Sequence, residues 1–380
     1  MTTATTDQII DALRPVEDPE LHRSIVDLGM VRDVEVSPTG VSLTVVLTVP
    51  GCPLRNEIQN RVTTALTPLT DGAPVSVNFG VMTDAERENV RRMLHGDPSS
   101  TAGQSQAHGH AEGRAIPFAA KDSKTRPLLI SSGKGGVGKS SVTTNLAVAL
   151  AAQGHTVGVV DADIYGFSIP RMLGTDRDPV VIDNMLLPPE AWGVRCISIG
   201  YFVPEGEAVI WRGPMLHKAL EQFLTDVFWD EPDYLLIDMP PGTGDIALSL
   251  SQYLPKAEVF VVTTPQDAAQ KVARLSAAMA KKVNLPVRGV IENMSWFTGD
   301  DGKRYELFGS GGGRELADSL GVPLLAQIPL VPMLREGGDN GRPIAAVDPT
   351  SEAGAAFHAL AGRIEEMKPK KLFSKGLKLI

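Results

Sequence analysis

The strongest constraint on the fold of this 380-residue chain is a glycine-rich loop at residues 133–140, GKGGVGKS, which matches the phosphate-binding pattern G-x-x-x-x-G-K-[ST]. Its glycines let successive backbone N–H groups turn inward around an anion. In this pattern Lys139 reaches the β- and γ-phosphates, and the hydroxyl of Ser140 binds Mg²⁺. We therefore predict a nucleotide site formed by Gly133, Lys134, Gly135, Gly136, Val137, Gly138, Lys139, Ser140 and Ser141.

The residues on either side of the loop support this prediction. Residues 127–131 are an apolar run typical of a short buried strand, and residues 142–153 have the pattern of a helix. The amino terminus of such a helix adds its positive dipole end to a phosphate site. The loop also carries a second lysine, Lys134, which an ordinary phosphate-binding loop does not need. We predict that Lys134 is catalytic and supplies a cation to the transferring phosphoryl group across a dimer interface.

Acidic residues follow two further apolar runs. Asp161 and Asp163 come directly after residues 157–160, and Asp238 follows residues 234–237. Because the carboxyl ends of parallel strands meet at one edge of a sheet, we predict that these carboxylates lie beside the phosphates. Asp238 is then expected to position Mg²⁺. Of Asp161 and Asp163, one is expected to help hold the ion through a water molecule and the other to orient the attacking water; a polar exit from the strand is the plainer interpretation of the pair.

Asn293 stands at the end of another strand-like run, residues 287–291. Its side-chain amide is suited to hydrogen-bond the edge of a purine, and residues 329–335 are in a position to line one side of the base. A capping role is an equally good interpretation, because asparagine is common at such chain turns.

The chain divides into four predicted segments. Residues 1–94 have the pattern of a small α+β domain, and residues 95–124, rich in Ser, Gly, Ala, His and Gln, read as a flexible linker. Residues 125–367 alternate apolar runs with helical patterns, which is typical of an α/β fold with a mainly parallel sheet. Residues 368–380 are a basic tail, which we expect to be solvated; contact with an anionic surface is the alternative. The predicted elements of the first segment are helices at 7–13 and 54–66 and strands at 31–36, 41–49 and 75–79; the further strands of the third are at 157–160, 234–237, 259–262, 287–291 and 324–328.

Composition narrows the class of protein. The chain has 43% hydrophobic and 5% aromatic residues, which is ordinary for a soluble α/β protein. It has no apolar run of about 18 residues and no signal-like amino terminus, so we expect a cytoplasmic protein without a membrane span. A net charge of −9 makes nucleic acid an unlikely partner. Only two cysteines are present, which excludes a disulfide framework.

These motifs carry a resemblance to a known family. Residues 124–348 resemble the Mrp/ApbC family of iron–sulfur cluster carrier ATPases, within the MinD/ParA-like group of deviant P-loop proteins. The matching residues are GKGGVGKS at 133–140, DADIYG at 161–166, WRGPM at 211–215, DMPPGTGD at 238–245, ENMS at 292–295 and REGGD at 335–339. The amino-terminal segment is similar to the small cluster-assembly domain often fused to this family, through DPE at 18–20, DLGMV at 27–31 and LTVPGCP at 47–53.

The resemblance implies a homodimer that binds and hydrolyses ATP at its interface and delivers a cluster to acceptor apoproteins. It implies that Lys134 acts across the interface and that Asp163 helps to activate water. One departure from the family is clear. The family usually binds a bridging cluster through a C-x-x-C pair shortly after ENMS, whereas residues 296–302 here are WFTGDDG. The four-cysteine site between subunits therefore cannot form.

The two cysteines have different prospects as cluster ligands. Cys52 follows a predicted strand and precedes a predicted helix, where the helix dipole favours the thiolate, so it is the candidate ligand. A structural role at a strand exit is an equally good interpretation of Cys52. Cys196 lies in the mostly apolar run 194–199 and is expected to be a buried core thiol.

A second function of another class is consistent with the same residues. The ParA/MinD-like resemblance also allows an ATP-driven switch that binds a partner protein, DNA or a membrane surface. The basic tail and the missing cysteine pair favour this alternative. A purely structural nucleotide site is the least expected reading, because Lys134, Lys139, Asp163 and Asp238 are all present.

Overall fold

The computed structural model divides the chain into two compact units. One unit comprises Met1–Ser105 with Val180–Leu187, and the other comprises Gln106–Pro179 with Pro188–Ile380. The predicted segment boundaries at residues 94, 124 and 367 stay predictions. The structure describes residues 4–49, 54–70, 72–95, 115–120, 122–164, 166–175, 177–182, 184–203, 213–242, 245–367 and 369.

The first unit is built on a three-stranded sheet in the order β1-β2-β3. Strand β1 runs antiparallel to β2, and β2 runs parallel to β3. The buried side chains Leu43 and Val45 of the central strand alternate with partly exposed ones, as the sequence pattern predicts. Its elements are helices α1 (Thr6–Leu13), α2 (Arg55–Leu66) and α3 (Asp84–His95) and strands β1 (Val31–Ser37), β2 (Gly40–Leu47) and β3 (Val75–Val81).

The second unit is built on an eight-stranded sheet, which confirms the predicted α/β class. The remaining elements, in chain order, are β4 (Arg126–Ser132), α4 (Lys139–Ala152), β5 (Val157–Asp161), α5 (Ile169–Leu173), β6 (Val180–Ile182), β7 (Met185–Leu187), β8 (Glu190–Ala191), β9 (Val194–Ser198), α6 (Gly213–Thr225), β10 (Tyr234–Asp238), α7 (Asp245–Tyr253), β11 (Glu258–Thr263), α8 (Asp267–Lys282), β12 (Val287–Glu292), β13 (Phe297–Thr298), β14 (Arg304–Tyr305), α9 (Gly312–Leu320), β15 (Leu324–Gln327), α10 (Pro332–Asp339), α11 (Ile344–Val347) and α12 (Glu352–Glu366). Of these, β6 and β7 form an antiparallel hairpin that belongs to the first unit.

The large sheet has the strand order β15-β12-β11-β4-β10-β5-β9-β8. Every pairing is parallel except that of the edge strand β8 with β9. Strands β4, β5, β10 and β11 are buried along their whole length, which explains their continuous apolar sequence. Helix α4 packs against α11 and α12, and α8 packs against β11 and α9. No helix among the described residues is both long and apolar enough to span a membrane.

The carboxyl ends of the parallel strands lie at one edge of this sheet. In the register of the central strands, Asp238 at the end of β10 pairs with Ile130 of β4 on one side and with Asp161 of β5 on the other. The glycine-rich loop leaves the end of β4 and enters α4. The fold therefore brings the loop and the acidic residues together at the place where ligands of open α/β sheets bind.

Candidate functional site

The glycine-rich loop forms a cradle between β4 and α4. Its first glycine, Gly133, lies so close to the backbone of Val272 and Ala273 in α8 that an added Cβ would overlap them. Its last glycine, Gly138, has the left-handed backbone conformation (φ 77°) and directly precedes α4. The cradle opens into a cavity of about 230 Å³ lined by Ser132, Lys134, Gly135, Gly136, Val137, Gly138, Lys139, Ser140, Ser141, Asp163, Gly166, Ser168, Met172 and Pro241.

Asp238 is the centre of the polar contacts inside the site. Its Oδ2 atom lies 2.5 Å from Lys139 Nζ and accepts a hydrogen bond of 2.7 Å from Ser140 Oγ. Its Oδ1 atom accepts a hydrogen bond of 2.6 Å from Thr143 Oγ1. The Asp238 side chain is fully buried, and Lys139 is 6% exposed. A buried carboxylate paired with a lysine and two hydroxyl groups is held in one orientation.

Asp163 lies at the wall of the same cavity. Its Oδ2 atom is 3.5 Å from Lys139 Nζ, and the residue is 9% exposed. Burial raises the pKa of the Asp163 carboxyl, and the nearby Lys139 ammonium opposes that rise. A carboxylate with a raised pKa at the rim of a phosphate cavity is suited to accept a proton from water.

Asp161 lies at the carboxyl end of its strand, as its sequence context predicts, but it does not line the cavity. Strand β5 continues through this residue, so its side chain is fully buried beside that of Asp238. Its carboxylate accepts hydrogen bonds from the backbone N–H groups of Asp163, Ser168 and Ile169 and from the hydroxyl of Ser198. Burial, followed by the charge of Asp238, raises the pKa of Asp161 to about 7.

Through these bonds Asp161 contacts residues at both ends of the connection between β5 and α5, which carries Asp163. The contribution of Asp161 to magnesium binding through water stays a prediction. Tyr165, in the same connection, lies outside the described residues.

Lys134 lines the cavity and is half-buried. Its Nζ atom donates a hydrogen bond of 3.3 Å to Oε1 of Gln266, the residue before α8. The hydroxyl of Ser132 donates to the backbone carbonyl of Lys134. The second lysine of the loop is thus anchored within its own chain, next to the cavity.

Asn293 lies behind the loop. It is 2% exposed, and its Nδ2 atom donates a hydrogen bond of 2.9 Å to the carbonyl of Val137. A Cβ at Gly138 would overlap the same amide nitrogen, so a glycine is required there. The amide of Asn293 therefore braces the loop. Its Oδ1 atom is buried without a hydrogen-bond partner among the described residues, and this oxygen is an acceptor of the kind that a purine amino group needs.

Only one of the two cysteines is among the residues that the structure describes. Cys52, the candidate cluster ligand, lies outside the described residues. Cys196 is fully buried in β9, as expected, and burial raises the pKa of its thiol. Within the described part of the chain, no three or more His, Cys, Asp or Glu side chains are grouped as a metal site.

The segment after ENMS, where the family carries its cysteine pair, is the hairpin of β13 and β14. Glu352 at the start of α12 accepts hydrogen bonds from Trp296, Thr298 and Arg304. The Arg304 guanidinium lies 4.1 Å from the centre of the Trp296 ring. This hairpin is held by one carboxylate and a cation–π contact.

Sequence reasoning missed two residues of the site. Thr143 lies one helical turn after Lys139 on α4, and that i, i+4 spacing was the signal available for it. Gln266 had no sequence signal, because its contact with Lys134 joins residues that are distant in the chain.

Comparison with known proteins identifies two families in the chain. Residues 124–365 match the family described as NUBPL iron-transfer P-loop NTPase. Residues 6–79 match the family described as iron-sulfur cluster assembly protein. The two matches correspond to the large sheet with its helices and to the small amino-terminal sheet.

Individual relatives agree with these matches over most of the chain. An iron-sulfur cluster carrier protein of Mycobacterium tuberculosis is 46% identical over 357 residues, which cover 92% of this chain and 90% of the relative. A protein of the same name from Synechocystis is 41% identical over 95% of this chain and 97% of its own length. Among solved structures, a nucleotide-binding protein from Archaeoglobus fulgidus in complex with ADP is 34% identical, with a TM-score of 0.51, over 60% of this chain and 95% of that one.

Proposed function

The chain belongs to the NUBPL iron-transfer P-loop NTPase family, and from this premise we propose that it is an ATP-hydrolysing carrier that transfers iron–sulfur clusters to apoproteins. The observation that carries the proposal is the contact of Lys139 and Ser140 with Asp238 at the glycine-rich loop, in a chain that also matches the cluster-assembly family. The iron–sulfur cluster is the cargo of this activity, and the nucleotide drives its transfer.

The loop supports ATP binding in three ways. Its backbone lines a cavity beside the amino terminus of α4, whose dipole favours phosphate. Lys139 is close enough to this cavity to neutralise phosphate charge. Asn293 braces the loop through its bond to the Val137 carbonyl, and its Oδ1, which has no partner among the described residues, would accept a hydrogen bond from the base.

Magnesium fits the oxygen atoms of the site. Ser140 Oγ and Asp238 Oδ2 lie 2.7 Å apart beside the cavity, and hydroxyl and carboxylate oxygens are the ligands that Mg²⁺ prefers. When bound, the ion would neutralise charge on the phosphates. Ser140 would hold it directly, and Asp238 would hold it directly or through water.

Asp163 and Lys134 are the residues we propose for hydrolysis. Asp163 would orient the attacking water and receive its proton, a role that its raised pKa supports. Lys134 would act on the phosphates of a second copy of the chain in a homodimer. Its present partner, Gln266, is neutral, so the contact is weak enough to be exchanged.

Cargo binding is proposed to involve Cys52. The chain has only two cysteines, and Cys196 is fully buried. The hairpin that follows ENMS contains no thiol, so the usual ligand pair of the family is missing. Cys52 is therefore the one thiol left that the chain can offer, within the amino-terminal segment that matches the assembly family.

The test is reconstitution of the full chain with iron and sulfide under anaerobic conditions, followed by iron and acid-labile sulfide analysis and visible absorption. We expect the wild type and the matched control Cys196→Ala to hold a cluster and Cys52→Ala to lose it. Transfer to an apoprotein should follow the same order. A Cys52→Ala variant that holds and transfers the cluster as the wild type does would reject Cys52 as the ligand.

A wild type that binds ATP but never holds iron or sulfide would point to the alternative function, an ATP-driven switch. Its binding to a partner protein, DNA or anionic vesicles would then be measured with and without ATP. Deleting residues 368–380 should abolish that binding if the basic tail contacts the anionic surface.

A further inference from the structure

Thr143 makes a contact with Asp238 that the phosphate-binding pattern does not include. We propose that Thr143 is a positioning residue: it fixes Oδ1 of Asp238 and so keeps Oδ2 on the side of Lys139 and Ser140. The proposal rests on the proposed function, because it assigns Thr143 a role in the magnesium dependence of nucleotide binding.

The two oxygens of Asp238 have different kinds of partners. Oδ2 is shared by Lys139 and Ser140, the residues that we propose for phosphate and for Mg²⁺. Each of them can exchange Asp238 for ligand atoms. Oδ1 is bound by Thr143, which is fully buried and does not line the cavity. This bond is therefore the one that persists when ligands engage Lys139 and Ser140.

The geometry of α4 favours the carboxylate as the partner of Thr143. The hydroxyl lies 2.6 Å from Asp238 Oδ1 and 3.1 Å from the backbone carbonyl of Lys139, four residues earlier. Threonines inside helices often bond the carbonyl of residue i−4. Here the shorter bond goes to the charged acceptor, and hydrogen bonds to ionised groups are the stronger kind.

The next residue provides a matched control. Thr144 is also buried in α4, at 1% exposure, but its hydroxyl meets Met172 Sδ at 3.8 Å and has no contact with Asp238 in the described structure. Replacing either threonine with valine preserves the shape of the side chain and removes one hydroxyl. Comparing the two valine variants therefore distinguishes the effect of losing the Asp238 contact from the effect of losing any buried hydroxyl.

The experiment measures the affinity for a fluorescent ADP analogue, first in EDTA and then over a titration with Mg²⁺. For Thr143→Val we expect about a tenfold higher Mg²⁺ concentration for half-maximal tightening, and a smaller loss of ADP affinity in EDTA than in Mg²⁺. Thr143→Ser should restore the wild-type titration, because serine supplies the same hydroxyl. Thr144→Val should titrate as the wild type does.

A double-mutant cycle tests whether Thr143 acts on the Mg²⁺ dependence through Asp238. In an Asp238→Ala background, which has no acceptor for the Thr143 hydroxyl, Thr143→Val should cause no further change in the Mg²⁺ titration. The proposal is overturned if Thr143→Val titrates as the wild type does, or if it weakens ADP equally with and without Mg²⁺. A wild type that binds no ADP at all would instead reject the proposed nucleotide function.

Discussion

At the scale of single residues, the site places one lysine between two carboxylates. Lys139 Nζ is 2.5 Å from Asp238 and 3.5 Å from Asp163. The same ammonium is the group that we propose for phosphate binding. On that proposal, phosphate binding and the orientation of both carboxylates are linked through one side chain.

Variants at Lys139 and Asp163 should affect different steps, nucleotide binding in the first case and hydrolysis in the second. Lys139→Ala removes the cation that faces phosphate, and we expect the affinity for ATP to fall at least about tenfold. Asp163→Asn should keep ATP affinity and lower kcat about 10²–10⁴-fold, because the group that accepts a proton from water is lost. Equilibrium binding and steady-state hydrolysis measure the two quantities. Lys271→Ala, at an exposed position on α8, is the control for loss of a lysine.

Equal ATP affinity for the wild type and Lys139→Ala would contradict the assignment of the loop. Unchanged hydrolysis in Asp163→Asn would remove that residue from the mechanism.

The directions of side chains were the part that the sequence could not predict. The motif DADIYG correctly indicated acidic residues at the end of a strand, but the direction of each side chain depends on where β5 ends. Because β5 extends to Asp161, that carboxylate turns into buried backbone donors, and Asp163 alone reaches the cavity. The same holds for Asn293. The sequence predicted its place at the end of a strand, but it did not predict the contact of its side chain with Val137.

At the scale of secondary-structure elements, the predicted strands of the large sheet agree with the structure to within one residue at each end, as β10 (Tyr234–Asp238) illustrates. Parallel strands buried on both faces have continuous apolar sequences, which makes them easy to recognise. The hairpin of β13 and β14 was missed. Its strands are two residues long, and it is held by Glu352, which is distant in sequence.

One buried glutamate joins three elements near the site. Glu292, at the end of β12 and 1% exposed, accepts a hydrogen bond of 2.5 Å from the backbone N–H of Gly313 in the first turn of α9. It also accepts hydrogen bonds from Ser295 and from Gln327 of β15. A carboxylate at the amino terminus of a helix is stabilised by the helix dipole.

We predict that Glu292→Gln lowers the free energy of unfolding by about 2–3 kcal/mol. Glutamine has one acceptor oxygen where glutamate has two, and its amide nitrogen would face a protein donor. Urea unfolding of the full chain measures the change. Glu306→Gln, an exposed glutamate near the hairpin, should leave the unfolding free energy unchanged. Equal stability of the two variants would show that Glu292 does not hold these elements together.

At the scale of the whole molecule, the proposed homodimer makes a prediction about mixed chains. Lys134→Ala and Asp163→Asn should each be inactive as homodimers. If Lys134 acts across the interface, a mixed dimer has one complete site, with Asp163 from one chain and Lys134 from the other. An equal mixture should then recover roughly a quarter of wild-type hydrolysis, since half the dimers are mixed and each has one working site.

Hydrolysis of the mixture at the level of the separate variants would contradict action in trans. Lys134 would then act within its own chain, where Gln266 already holds it beside the cavity. Co-purification of an affinity-tagged Lys134→Ala chain with untagged Asp163→Asn is the control for exchange of chains.

The hairpin described above also bears on how the protein tolerates oxygen. Surface thiols are the side chains most readily converted to sulfenic acid or disulfides. In the segment after ENMS this chain uses a carboxylate, an indole and a guanidinium instead, and the single cysteine of the second unit is fully buried. The second unit should therefore resist thiol oxidation in air, and any thiol oxidation of the whole protein by peroxide should be traceable to Cys52.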